Sequence, residues 1–171
     1  EVLAHHFSYT PRDLAVLERF DRGADRMLVA AALEKKSTAE IADAYEAGFH
    51  ADEALVNILP AHAFPRATEH IPEMLALAEA LEDSGYAYAA PDGSLYYEVA
   101  RFPDYGRLSG NTLDQCEAGA RVEVRSEKRN AADFALWKRD PKHIMQWPSP
   151  WGPGFPGWHI ECSAMSMRFL G

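Results

Sequence analysis

Ser149-Pro-Trp-Gly-Pro-Gly-Phe-Pro-Gly-Trp-His-Ile-Glu-Cys-Ser-Ala-Met165 is the stretch on which the reading of this chain turns. Its first half alternates proline, which fixes φ, with glycine, which accepts almost any φ. It therefore encodes a loop of defined shape and not a slack connection. Its second half takes on helical spacing. Ile160, Ala164, Met167 and Leu170 or Phe169 would line one face of a helix from Trp158 to Leu170. A rigid loop aims the residues after it, here Trp158, His159, Glu161 and Cys162.

Cys162 is the sharpest candidate for chemistry. Near a helix start the dipole would favour its thiolate, and thiolate is the soft donor that zinc prefers. A buried, inert cysteine is the bland alternative. His159 and Glu161 are close in sequence, but the H-x-E-C spacing predicts different helix faces, so the three are not expected to grip one ion together. No second Cys or His stands at the spacing of a self-contained zinc site. Trp158 reads either as a lid on the core or as the wall of a small-molecule pocket. Gly157→Ala is expected to damage the loop if φ is positive there and to do little if it is not.

Upstream, Thr10-Pro11 predicts the cap and first residue of a helix over 10–20. Met27, Leu28, Ala31 and Ala32 predict a short helix. Ser37-Thr38 starts a longer one with Ile41, Tyr45, Phe49, Ala54 and Leu55 as its apolar stripe, ending before Pro60. Thr68 is read as the cap of a helix to about Ser84, with Met74, Leu75, Ala78 and Leu81 buried and Gly85 as its stop. Pro91-Asp92-Gly93 between two aromatic runs, Tyr86–Ala90 and Ser94–Val99, predicts a β-hairpin. Thr112–Glu117 reads as a turn or two of helix, Arg121–Arg125 as a strand, Phe134–Trp137 as a short strand, and 138–156 as a proline-rich loop. The fold class expected is α+β: helices at both ends and a small sheet between.

The chain has 171 residues, 47% hydrophobic and 11% aromatic, enough for a packed core. Its formal net charge of -9 argues against a general polyanion-binding surface, so DNA is not an expected partner. No apolar run approaches the roughly 20 residues that span a bilayer, so no membrane partner is expected. The two cysteines, Cys116 and Cys162, read as reduced thiols of a cytoplasmic protein, Cys116 as an ordinary half-buried residue. His5, His6, His62 and His70 carry no motif. Glu123, Arg125, Glu127, Lys128 and Arg129 read as a solvated edge, with phosphate contact by Arg125, Lys128 and Arg129 as the other reading. Walker, dinucleotide, nucleophile-elbow and H-E-x-x-H motifs are absent, so no residue receives a catalytic role.

Several segments together resemble bacterial cysteinyl-tRNA synthetase, a class I aminoacyl-tRNA synthetase. In chain order they include Asp25-Arg-Met27, Leu55-Val-Asn-Ile-Leu-Pro60, Pro65-Arg-Ala-Thr-Glu-His-Ile-Pro-Glu73, Gly85-Tyr-Ala-Tyr88, Tyr105-Gly-Arg-Leu-Ser109 and Leu113-Asp-Gln-Cys-Glu-Ala-Gly-Ala-Arg121. They continue through Lys128-Arg-Asn130, Asp133-Phe-Ala-Leu-Trp-Lys138 and Trp147-Pro-Ser-Pro-Trp-Gly152 to Pro156-Gly-Trp-His-Ile-Glu-Cys-Ser-Ala-Met165, the most specific of all. The resemblance covers about residues 25–171. It implies activation of cysteine with ATP and transfer to the tRNA for cysteine. It also implies a zinc ion that binds the substrate's own thiolate, with Cys162 as a zinc ligand and Trp158 beside the cysteine side chain.

The family's H-I-G-H motif and first zinc-ligand cysteine are absent, as are the H-H-E-N-E segment with the other ligands and K-M-S-K-S. The sequence therefore looks like an internal portion of the synthetase's α/β, Rossmann-like catalytic domain, inactive alone. The division expected is a helical segment over 1–60, a connective insertion over 61–150, and a loop and helix re-entering the core over 151–171. The first ~20 residues carry no segment recognised in this way. A catalytically incomplete paralogue or tRNA-binding module is the alternative, as is the related ligase that joins cysteine to an amino-sugar in mycothiol synthesis.

Overall fold

A computed structural model describes residues 26–110 and 127–171. The helix expected over 10–20, the elements expected at Thr112–Glu117 and Arg121–Arg125, and His5, His6 and Cys116 lie outside these residues. The chain divides into two compact units, Glu1–His62 and Ala63–Gly171.

In the first unit, helix α1 (Arg26–Glu34) lies against α2 (Thr38–Leu55). Ser37 caps α2 reciprocally. Its Oγ accepts from the Glu40 N–H, and the Glu40 carboxylate accepts from the Ser37 N–H at 2.8 Å. These bonds hold the Glu40 carboxyl below its ordinary range. Asn57 ends α2 at φ 58, its N–H reaching Ala54 O while the Ile58 N–H reaches Glu53 O. Asparagine tolerates this left-handed conformation, and the two bonds satisfy terminal carbonyls. The expected stripe is buried only at Ile41; Tyr45 and Phe49 stay exposed.

The second unit is a four-stranded antiparallel sheet in the order β1 (Ala87–Ala89), β2 (Leu95–Tyr97), β3 (Phe134–Lys138), β4 (Phe155–Pro156). Helices α3 (Ile71–Asp83) and α4 (Trp158–Leu170) pack on one face. Ile71, Met74, Ala78, Leu95, Leu136, Trp137, Ile160 and Ala164 form the shared core. Tyr88 and Tyr96 cover the other face. No helix among the described residues is long and apolar enough to cross a membrane.

α3 starts later than Thr68 predicts. Residues Ala67–Glu69 form a separate 3-10 turn, and His70 stands at the cap position. A helix capped by Thr68 would require an N–H from Pro72 to Thr68's own carbonyl, and proline has none. Starting at Ile71 puts Pro72 in the first turn, where no partner is needed. The stop is as expected. Gly85, at φ 75, donates to Glu82 O, and Tyr86 N–H donates to Leu81 O. The predicted hairpin forms, with Ala87 opposite Tyr97 and Gly93 at φ 87 closing its turn. The loop over 138–156 is more ordered than its composition suggests, because its last residues pair with β3 as β4.

Candidate functional site

The site grows from the proline-glycine loop. Trp147 and Gly154 bridge it across its base, with the Trp147 N–H 2.7 Å from Gly154 O and the return bond at 3.1 Å. At the tip, Ser149 Oγ donates to Gly152 O, and Gly152 holds φ at 106, which a side chain would strain. Gly154 lies on the indole of buried Trp137; a Cβ there would strike Lys138 O and Trp137 Nε1. So crowded is this spot that the Trp137 N–H has no acceptor among the described residues. Trp151 leans on Trp137 with ring centroids 6.5 Å apart and donates its indole N–H to the Glu82 carboxylate at 2.8 Å.

Gly157 is the last residue before α4. Its N–H donates to Leu136 O at 2.8 Å. Its φ of -79 and ψ of 154 are ordinary for any residue, so the condition for backbone strain is not met and φ alone would leave alanine tolerated. Glycine is needed for another reason: a Cβ would collide with the Ala135 backbone carbonyl. β3 thus fixes where α4 begins.

α4 has the predicted bounds, but its buried row differs. Ile160 and Ala164 are 2% and 3% exposed, whereas Met167 is 59% and Leu170 84% exposed. The buried row stops at Ala164; one turn on, Arg168 is solvent-exposed, its Nε 3.8 Å from Glu73 of α3 at the surface. Phe169 packs on His70, with centroids 5.5 Å apart. His70 itself is buried, its Nδ1 2.9 Å from Arg66 O.

The opposite side of α4 is open. Trp158 is 82% exposed, so it is no lid on this core. Cys162 is a free, exposed thiol, which removes the inert-core reading. Four residues apart on a helix, the two are neighbours, with Cβ atoms about 5–6 Å apart. Cys162 lies beyond the first turn, where the helix-end field has faded. His159 shares the open side with Cys162, three residues away; Glu161 alone turns inward. The trio therefore divides as two and one. The His159 ring rests on Phe134, centroids 4.4 Å apart, at the end of a file of rings through Tyr97 and Tyr86. Burial pushes the Glu161 carboxyl up, partly countered by Lys138.

Cys162 fits zinc as one soft donor. Among the described residues no three or more His, Cys, Asp or Glu side chains gather where a metal ion could sit. They do not make a zinc site by themselves.

The basic residues singled out as phosphate readers are engaged elsewhere. The Arg129 guanidinium lies 4.0 Å above the Tyr88 ring and 3.2 Å from Glu98, and Lys128 sits over the Tyr96 ring. Arg125 lies outside the described residues. Beneath them, buried Asp133 accepts from the Tyr88 hydroxyl at 2.8 Å and from the Val99 and Asn130 N–H groups, and Tyr88 accepts from the Arg129 N–H. This network ties the turn before β3 to β1 and to Val99.

Sequence reasoning missed Glu82, Phe134 and Lys138 as neighbours of the loop and of α4's start. Each is remote in sequence from the α4 start it supports, and no spacing rule reaches that far.

With this geometry in place, comparison with known proteins adds the family. The family model described as "tRNA synthetases class I (C) catalytic domain" matches residues 1–171. A cysteine--tRNA ligase of Thermus thermophilus is 51% identical over 152 residues, 88% of this chain and 32% of that protein. One of Deinococcus radiodurans is 46% identical over 97% of this chain and 35% of its own length. One of Magnetococcus marinus is 46% identical over 100% of this chain and 35% of its own length. The chain spans about a third of the length of the curated relatives it matches.

Proposed function

The chain belongs to the class I (C) tRNA synthetase catalytic-domain family, and from that premise we propose that it is the amino-acid-recognising part of a cysteine--tRNA ligase. The whole protein activates cysteine with ATP and transfers it to the tRNA for cysteine, in the cytoplasm. Within its Rossmann-like catalytic domain, residues 61–150 are the connective insertion and 151–171 the return into the core.

One observation carries the reading. Trp158 and Cys162 stand side by side on the open face of α4, at the end of a loop braced against the sheet. Trp158 supplies a flat apolar wall for a small side chain. Cys162 supplies one thiolate ligand to a zinc ion, the other ligands coming from outside the described residues. When bound, zinc supplies a soft centre for the substrate's sulfur, which the harder oxygen of serine ligates poorly. The loop fixes both side chains before substrate arrives, so less ordering is needed on binding.

The test uses the protein as its gene encodes it. Cysteine-dependent ATP–pyrophosphate exchange, charging of the tRNA for cysteine, and zinc content are measured for wild type and Cys162→Ser. The variant is expected to lose zinc and exchange together while keeping the circular dichroism of the folded protein. Exchange that survives in Cys162→Ser overturns the assignment. Exchange without tRNA charging in the wild type points instead to the cysteine:amino-sugar ligase.

A further inference from the structure

We propose that Glu82, on the last turn of α3, is a positioning residue for the Trp158–Cys162 face, acting through its hydrogen bond to Trp151; this rests on the reading of that face as the cysteine site. Glu82 touches neither candidate residue. Its carboxylate accepts the Trp151 indole N–H at 2.8 Å, across 69 residues of sequence. Trp151 occupies the tip of the proline-glycine loop and leans on Trp137, which is 1% exposed. Trp137 pairs directly with Pro156 in the sheet. Pro156 is followed by Gly157, bonded to Leu136 O, and then by Trp158, the first residue of α4. From Trp151 onward every member of this path is a ring, a proline or a backbone hydrogen bond, so displacement at the tip has few soft torsions in which to dissipate.

The loop needs such a tether. Between Trp147 and Gly157 its backbone is pinned at its base and at its exit, but the Trp151 end crosses to α3 through one side-chain bond. Packing alone would let the indole slide over Trp137; a bond to a fixed carboxylate sets its angle. α3 holds the Glu82 backbone steady, because Met74 and Ala78 are 0% and 1% exposed in the shared core. A hydrogen bond involving an ionised partner is shorter and stronger than a neutral one, which suits a lone tether.

Three variants separate positioning from mere stability: Glu82→Ala, Glu82→Gln and Trp151→Phe. Alanine keeps the helix, and phenylalanine keeps a ring on Trp137 but has no N–H. The readouts are KM for cysteine, KM for ATP, kcat of exchange and melting temperature. Glu82→Ala and Trp151→Phe are expected to raise the KM for cysteine about tenfold, the factor that 1.4 kcal/mol carries, with the KM for ATP within about twofold of wild type. Glu82→Gln, which still offers an acceptor oxygen, is expected to restore most of the difference. Equal rises in both KM values, or a lowered melting temperature with unchanged KM for cysteine, overturn the proposal. A wild-type protein with no cysteine-dependent exchange defeats the functional reading itself, before any variant is compared.

Discussion

Gly157→Ala isolates the close approach between the loop exit and β3. Two effects oppose each other. Alanine restricts the unfolded chain, and at φ -79, ψ 154 it meets no backbone strain, which alone would stabilise the protein by about 0.4–1 kcal/mol. Against this, the new Cβ would strike the Ala135 carbonyl oxygen and carbon. Those atoms belong to the central run of β3 and cannot swing aside like a side chain. Relief requires pulling Gly157 away from the strand, which weakens its 2.8 Å bond to Leu136 O. Forcing one extra carbon into a packed site costs about 1–3 kcal/mol, and the net worth of one hydrogen bond is about 0.5–1.5 kcal/mol. The opposing entropy is smaller than their sum, so the net loss expected is about 1–3 kcal/mol.

Urea unfolding followed by tryptophan fluorescence reads this directly, because Trp137, Trp147, Trp151 and Trp158 all surround the loop. Gly48→Ala is the control, followed by far-UV circular dichroism because Gly48 lies in the first unit and all four tryptophans in the second. Gly48 lies within α2 with nothing within 4 Å of where an alanine methyl would stand, and the change there is expected to stabilise the helix by about 0.5–1 kcal/mol. A Gly157→Ala protein as stable as wild type, beside a stabilised Gly48→Ala, would refute the argument from close approach.

Three further outcomes are expected from the same structure. Trp158→Ala should raise the KM for cysteine more than that for ATP and leave the melting temperature within about 2 °C of wild type, since an indole 82% exposed adds little to the core; an equal effect on both KM values would contradict it. Tyr88→Phe should destabilise by about 1–3 kcal/mol at pH 7, measured by urea unfolding, because the Arg129 N–H loses its acceptor beside Asp133. Burial pushes the Tyr88 hydroxyl up to about 12 from its ordinary 10.0. Its folded pKa is above its unfolded one, so its stabilising contribution is complete below pH 10 and lost as pH rises toward 12; Tyr88→Phe should flatten that alkaline fall. Glu161→Gln should be more stable than wild type at pH 7. The raised Glu161 pKa means that its contribution is present below 4.5 and lost as pH rises through the folded value, so the gap should close near pH 4.

The legible part of the sequence was local. Ser37 three residues before Glu40, Gly85 after an apolar stripe, and Pro91-Asp92-Gly93 between aromatic runs each specify a bond within a few residues, and each bond is present. α4 was legible from end to end because Gly157 and the periodicity after it mark the helix without outside help. Its buried row was not. Met167 and Leu170 stay exposed because only the Ile160–Ala164 part of α4 enters the core shared with α3 and the sheet, elements far earlier in the chain.

The candidate site divides in the same way. Trp158 and Cys162 were picked out because a rigid loop runs into the start of a helix within one stretch, and both lie on the exposed side of that helix. At Gly157 the expectation that alanine does little when φ is not positive misses the collision, because the role was sought in φ alone. The constraint on Gly157 comes from the Ala135 carbonyl, and no reading of residues 149–165 contains that atom. The distinction has a consequence for substitution. A glycine kept for its φ tolerates asparagine better than alanine, whereas one kept for space rejects both in order of size. Gly152, at φ 106 with its nearest neighbour 4.0 Å from an added Cβ, belongs to the first kind, and Gly157 to the second. Asparagine at each position, set beside alanine, would therefore rank oppositely in stability, and the same ranking at both would show that one physical cause governs the whole loop.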